Sequence, residues 1–336
     1  MAVRMKDIAD DLGVSLMTVS KALRNHSDIS EKTRKRVLKR MRELNYQPDW
    51  IARSMVTGRT YVVGLVLPDL MHSFFAEVAT GASRKLQPVG YQVVIADTQE
   101  DGEAERRQID VLINRKVDGL IIASAQRQGK LDLFKKLDRD KIPYVLIDRM
   151  LAGARAHYVG VRDEELGALA TEHLIAQGCH RVAHLRGPSV ATGTARLRGY
   201  RRALARHGLT ADSAYITSGQ YGETTGYDAM QELLKLAPPP DGVFCYNDAV
   251  AAGAIKAIIE SGLRVPEDIA VIGAGNAPYC DLLRVPLSTV DQSSTAIGEN
   301  AADLLVKCME SRKPDVARHI FITPRLVIRD SSRRKN

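Results

Sequence analysis

Between residues 5 and 44, apolar side chains return every three or four positions, the period of an amphipathic helix. Ile8, Ala9 and Leu12 fall on one face of a first short helix. Val14, Val19, Ala22 and Leu23 can close against it from a second. A third follows Ser30, with Val37, Leu38, Met41 and Leu44 on its inner face. Gly13 permits the tight turn between the first two, because glycine takes left-handed backbone at little cost. Ser15 and Ser30 stand where a side-chain oxygen accepts from the free amides of a first helical turn. Pro48 then suits a helix start and Gly58 a helix end. The roughly two turns between them are too short to be stable alone in water, so this segment is expected to order only against a partner.

From Tyr61 the pattern changes. Continuous apolar runs at 62–68, 90–97, 117–124 and 143–148 alternate with helical stretches at 73–86 and 102–115. The alternation resumes after residue 160, with strands near 181–186, 215–218, 241–245 and 269–273 and helices near 164–177, 196–207, 223–236 and 249–261. Val117-Asp-Gly-Leu-Ile-Ile and Pro240-Asp-Gly-Val-Phe-Cys read as one element used in two halves. Such runs form parallel strands covered on both faces. The expected fold class is α/β: an all-α N-terminal head plus a two-lobed body with parallel sheets. The head spans 1–47 and a hinge helix 48–59. The body spans 60–330, with lobe 1 at about 60–160 and 291–321 and lobe 2 at about 161–290 and 322–330. A basic tail covers 331–336.

Charge sharpens this division. The chain carries +8 overall, with +6 in residues 1–60, −2 in 61–324 and +4 in 325–336. Two helices joined by a glycine turn make a helix-turn-helix, whose second helix fits the DNA major groove. A basic head on a near-neutral body fits polyanion binding by the head alone. Lys32, Lys35, Arg36, Lys39 and Arg40 on the third helix fit either a solvated face or weak phosphate attraction. Arg333, Arg334 and Lys335 are expected to be a solvated end.

Several functions are excluded. No run approaches the roughly 20 apolar residues of a membrane span, and the N-terminus lacks the apolar core of a secretory signal. Cys179, Cys245, Cys280 and Cys308 show no metal or redox spacing, which fits idle thiols in the cytoplasm. Ile272-Gly-Ala-Gly-Asn-Ala-Pro lacks the third glycine of a dinucleotide loop, and Pro278 opposes a helix start. His173, His180 and His184 bracket a turn and are not expected to be ligands. The reading is a non-enzyme without metal or cofactor.

Ligands of open α/β sheets lie beyond the carboxyl ends of the strands. This directs attention to Phe74 and Phe75, Asp148 and Arg149, Thr192 and Arg196, Tyr221, Asn247, and Asn276 after Gly275. Rings stack on a sugar or base, and arginines fork to hydroxyl or acid groups.

Several motifs then fall in one order. They are Met5-Lys6-Asp7-Ile8-Ala9, Gly13-Val14-Ser15, Thr18-Val19-Ser20, Ser30-x-x-Thr33-Arg34, Glu43-Leu44-Asn45-Tyr46-x-Pro48 and Ala52-Arg53-Ser54. Together with the body they resemble the LacI/GalR family of bacterial transcription regulators over nearly the whole chain. The resemblance implies a cytoplasmic homodimeric repressor on a near-palindromic double-stranded DNA operator, with no membrane partner. It also implies a small-molecule effector, a sugar or sugar derivative, held in a periplasmic-binding-protein-like cleft. It places Leu16, Met17 and Lys21 at base edges and Ser15, Thr18, Ser20, Ser30 and Thr33 at phosphates. Met55 takes the place of the hinge wedge in the minor groove. Phe74, Phe75, Arg149, Arg196, Tyr221 and Asn247 take effector-cleft positions. Many members carry an aspartate where this chain has Gly275, and Asp-Asn near the place of Arg162-Asp163. With Arg149, Arg162 and Arg196 nearby, the expectation is an anionic or unusually bulky effector.

Overall fold

The computed structural model describes residues 3–23, 26–46, 54, 57–126, 129–217, 222–311 and 316–334. The chain divides into two compact units, Met1–Thr60 and Tyr61–Asn336.

The first unit holds α1 (Met5–Leu12), α2 (Leu16–Leu23) and α3 (Glu31–Glu43). Ile8, Ala9, Val19, Ala22, Val37 and Met41 form its buried core. Leu38, expected inside, is exposed instead, because Val37 and Met41 already fill the inward stripe of α3. Gly13 ends α1 with φ 62°. The Ser15 hydroxyl accepts from the Thr18 amide at 3.0 Å, and Ser30 accepts from the Thr33 amide at 3.2 Å. Arg40 donates to Asp11 at 3.0 and 2.7 Å, fastening α3 to α1. Most of the expected hinge helix, including Pro48 and Met55, lies outside the described residues.

The second unit contains two six-stranded sheets. Lobe 1 is built from β1 (Val62–Leu67), α4 (Ser73–Leu86), β2 (Gln92–Asp97), α5 (Gly102–Asn114), β3 (Gly119–Ile122), α6 (Asp132–Arg139), β4 (Tyr144–Ile147) and β5 (His157–Val161). Lobe 2 comprises α7 (Asp163–Ala176), β6 (Val182–Leu185), α8 (Ala191–Arg206), β7 (Ile216–Thr217), α9 (Glu223–Leu234), β8 (Gly242–Cys245), α10 (Asp248–Glu260), β9 (Ala270–Gly275) and β10 (Ser288–Asp291). The chain then returns through α11 (Ser294–Glu310) and β11 (His319–Ile322) in lobe 1 and ends with β12 (Arg325–Val327) in lobe 2. The strand orders are β11-β5-β4-β3-β1-β2 and β12-β10-β9-β8-β6-β7. All pairings are parallel except β10 with β12.

Three features differ from the sequence pattern. Strand β5 and the eight-residue α6 were not apparent; α6 offers only Leu133, Phe134 and Leu137 to the core. Helix α8 starts at Ala191, not Arg196. Its first turn, Ala191-Thr-Gly-Thr, has no side-chain cap and reads as loop, since threonine and glycine are poor helix formers. In the basic tail Arg333 is exposed as expected, but Arg334 is not a solvated end. Ser331 and Ser332 are buried, and Arg334 donates to the carbonyls of Pro266 and Asp241 at 3.1 and 2.6 Å. Asn336 and Lys335 lie outside the described residues.

Candidate functional site

In the head, the N-terminal end of α2 presents Leu16 and Met17, 49% and 60% exposed. Apolar side chains left out of a core of this size are available for contact, and they suit thymine methyls more than a bidentate base pair. The Ser15 and Thr18 hydroxyls lie 2.9 Å apart, as do those of Ser30 and Thr33. The same Ser-x-x-Thr device thus opens both α2 and α3. Ser20 is half-buried. The Lys21 ammonium is paired with Asp28, so reaching a base requires exchanging that partner. The basic face of α3 is partly committed too: Arg40 bonds Asp11 and Glu43, and Lys35 and Lys39 face Glu31 and Glu43 at 3.6 and 3.8 Å. That pairing favours the solvated-face reading.

In the body, Asp69, His72, Phe74, Phe75, Glu100, Asp148, Arg149, Arg196, Tyr246, Asn247 and Gln292 surround one cavity at the strand ends of both lobes. His72 caps α4, its Nδ1 accepting from the Phe74 amide at 3.3 Å. This sets Phe74 and Phe75 edge to face, 5.0 Å apart. Asn247 caps α10 through the Val250 amide at 2.8 Å, and its amide nitrogen meets His72 Nε2 across the cleft at 3.0 Å. Burial holds the His72 imidazole below its ordinary range.

Two buried arginines organise the cleft, and each has its own counter-charge. Arg149 forks onto Glu100 at 2.7 and 2.5 Å and donates to the Ser124 carbonyl at 3.1 Å. Asp148 lies 3.5 Å from its Nε. Arg196, 3% exposed, donates to Asp163 at 2.8 Å, the Tyr246 carbonyl at 2.6 Å and Gln292 at 2.9 Å. Its guanidinium carbon lies 4.6 Å from the centroid of the Tyr246 ring. The Asp163 contact requires α7 and α8 to touch backbone to backbone. A Cβ at Gly167 would lie 2.3 Å from the Arg196 carbonyl, and one at Gly199 would lie 2.1 Å from that of Glu164. Glu100 and Asp148, which both line the cavity, have φ of 58° and 60°. Such residues cost of order 1–3 kcal/mol each and gather at binding sites.

Of the nine side chains that the strand-end rule singled out, Phe74, Phe75, Asp148, Arg149, Arg196 and Asn247 line this cavity. Thr192 stands one step back, its hydroxyl 2.7 Å from that of Tyr246. Asn276 is turned to Arg329, which donates to it at 2.9 Å. Tyr221 lies outside the described residues. Asp69, His72, Glu100, Tyr246 and Gln292 were not anticipated. Tyr246 and Gln292 directly follow strands β8 and β10, so the strand-end rule already pointed at them.

The missing acid at Gly275 has a local cause. With φ 139°, a Cβ there would lie 3.0 Å from Asp248 Oδ2. Asp248 is itself buried, accepting from the Thr289 hydroxyl at 2.6 Å and the Ala277 amide at 2.8 Å. A second carboxylate beside it would meet like charge in a water-poor site. Arg149 and Arg196, the cations behind the expectation of an anionic effector, already hold carboxylates. The histidines set aside above have structural partners: His173 bonds Ser332 at 2.7 Å, and His184 stacks on Phe244 at 4.5 Å. No group of metal-ligand side chains occurs among the described residues, and no helix is long and apolar enough to cross a membrane.

Two family models match: bacterial regulatory proteins, lacI family, over residues 4–49, and the periplasmic binding protein-like domain over 171–332. The ribose operon repressor of Halalkalibacterium halodurans is 31% identical across 98% of this chain and 97% of its own. The chain belongs to the lacI family. The family assignment makes it a DNA-binding transcriptional repressor, not an enzyme. The transcriptional repressor PurR of Haemophilus influenzae is 32% identical, with 97% of this chain and 98% of that one covered. Among solved structures, the lac repressor dimer bound to operator and the anti-inducer ONPF shares 26% identity and a TM-score of 0.87 over 99% of both chains.

Proposed function

We propose that this lacI-family repressor acts in the cytoplasm and senses a small, uncharged, polyhydroxylated molecule, a sugar, in the cleft between its lobes. The observation that carries the effector class is the internal neutralisation of the cleft. Arg149 is matched by Glu100 and Arg196 by Asp163, so an added anion would find no unmatched cation and would lose its hydration. What remains is a set of planar donors and acceptors beside the Phe74, Phe75 and Tyr246 rings, the surroundings that hold hydroxyl groups and an apolar sugar face. The ribose operon repressor among its relatives supports the same class.

Two copies would read the two halves of a near-palindromic operator, because a two-fold dimer matches a two-fold site. Edge strand β2 exposes Val94 and Ile95, and Leu282 is exposed in lobe 2; these give a homodimer apolar surface to bury. Leu16 and Met17 would meet base edges, with Ser15, Thr18, Ser20, Ser30 and Thr33 on phosphates. Sugar binding would favour one angle between the lobes and so decide whether the segment around Met55 becomes helical on DNA. The ligand shifts that equilibrium only by its differential affinity for the two states.

The test is a selection of genomic fragments by the full chain, with and without a panel of neutral sugars and sugar acids. The expected result is a discrete set of fragments, released or retained on addition of a neutral sugar, and lost when residues 1–59 are removed. A response to sugar acids alone would overturn the effector class.

A further inference from the structure

Lys21 is the hydrogen-bond donor among the three α2 side chains placed at base edges, since Leu16 and Met17 are apolar. Its ammonium is paired with the Asp28 carboxylate. Asp28 sits in the turn between α2 and α3, and that turn is fastened to both helices. The His26 amide donates to the Lys21 carbonyl at 3.1 Å, and Arg34 of α3 donates to the His26 carbonyl at 2.9 Å. The other Asp28 oxygen lies 2.7 Å from His26 Nδ1. Lys21 and His26 hold the Asp28 carboxyl below its ordinary range. The group is therefore an ionised acceptor, and His26 Nδ1 is the donor to it. The Asp28 side chain is 46% exposed against 32% for Lys21, so the carboxylate is the more open member of the pair.

The pair thus presents a donor and an acceptor within one hydrogen bond of each other, on a turn that fixes their order. Major-groove edges match that order unequally. Guanine offers two acceptors, O6 and N7, and the cytosine paired with it offers the N4 amino donor. An ammonium over guanine leaves the carboxylate facing that amino group. At the reversed pair the ammonium meets the amino group and the carboxylate meets two acceptors, and both contacts repel. At an A·T pair the ammonium and carboxylate can take adenine N7 and N6, but thymine O4 is left facing the carboxylate.

We propose that Asp28 is a specificity-determining residue of the head, accepting from the cytosine of a G·C pair while Lys21 donates to its guanine. This rests on the reading above that α2 meets base edges, and it adds a residue from outside α2. A carboxylate beside the duplex weakens binding to every sequence through the phosphates. What it contributes is discrimination, by repelling pairs that present an acceptor in the wrong place.

Binding-site selection with the full chain, followed by anisotropy on fragments with that G·C pair kept, reversed or replaced by A·T, tests this. The unaltered chain is expected to select one G·C pair per half-site in a fixed orientation and to bind the reversed pair at least about ten-fold more weakly. Asp28→Asn, whose amide both donates and accepts, should bind nonspecific DNA more tightly and cut that ratio to about three-fold or less. Asp28→Ala serves if Asp28→Asn does not fold. Lys21→Met should lower the ratio too, and the double variant should lose less than the sum of the two single losses, because the residues act as a unit. A gain in affinity by the same factor on all fragments would make Asp28 a plain surface charge. That result, or a selected motif whose base preferences Asp28→Asn leaves unchanged, would overturn the assignment and leave DNA reading by α2 standing. Selection of no discrete fragments at all would overturn the reading of the head itself.

Discussion

Replacing Arg196 with alanine probes the wiring of the cleft. The guanidinium is 3% exposed and makes three short hydrogen bonds, to Asp163, Tyr246 and Gln292. Arg196→Ala would remove them and leave Asp163, also buried, as an uncompensated charge. Breaking one partner of a buried pair costs about 3–5 kcal/mol, largely through the charge left behind. For a body of this size each kcal/mol lowers Tm by about 2–4 °C, so a fall of about 10 °C is expected. Asp163→Asn in the same chain removes the stranded charge, and the double variant should recover half or more of the loss. Urea unfolding of the single and double variants, followed by body fluorescence and circular dichroism, measures the coupling. Additive losses, or a single-variant loss below about 1 kcal/mol, would refute the argument that Arg196 and Asp163 form a desolvated pair. In the double variant operator binding should persist and the sugar response should be lost.

Other expectations follow from separate places in the chain. Glu105 is fully buried, bonding the Ser124 hydroxyl at 2.9 Å, and burial raises its pKa from 4.5 to about 7. A carboxyl whose pKa is higher in the fold stabilises it fully below pH 4.5, and that contribution is lost as pH rises through about 7. The difference corresponds to about 3 kcal/mol, so thermal stability should fall between pH 5 and 8, and Glu105→Gln should flatten that slope in a scan of Tm against pH. Met17→Ala should relax the preference at one base pair per half-site in a binding-site selection, while leaving nonspecific affinity within about two-fold. Ser30→Ala removes the acceptor of the Thr33 amide and should cost the head about 1 kcal/mol, read by chemical denaturation of the head's helical signal.

Much of the head was legible because its evidence is local. A helical period, a left-handed Gly13 and two serine caps all act within a few residues. The alternation of buried strands and helices fixed the body's class for the same reason, and Phe74, Phe75 and Asn247 could be placed because they lie in the segments that lead from strands β1 and β8 into the next helix. What the sequence concealed is long-range pairing. Glu100 reaches Arg149 across 49 positions, and Asp163 and Gln292 reach Arg196 across 33 and 96. No pattern along the chain marks these as partners, so the arginines looked like free cations and pointed toward an acid ligand. The early start of α8 was hidden because its first turn consists of residues that favour loops, and only packing against α7 makes it helical. The end of the chain looked like a solvated basic tail because the carbonyls that hold Arg334 come from loops far away in sequence.

The central claim is that one molecule couples a DNA-reading head to a sugar-sensing body. Fluorescence anisotropy on a single selected operator fragment, at two salt concentrations and with or without the best-binding sugar, tests it most directly. The account predicts affinity that falls steeply as salt rises and that the sugar changes by about ten-fold or more, a coupling of about 1.4 kcal/mol. Operator affinity that no sugar alters, measured on protein shown by calorimetry to bind that sugar, would contradict it.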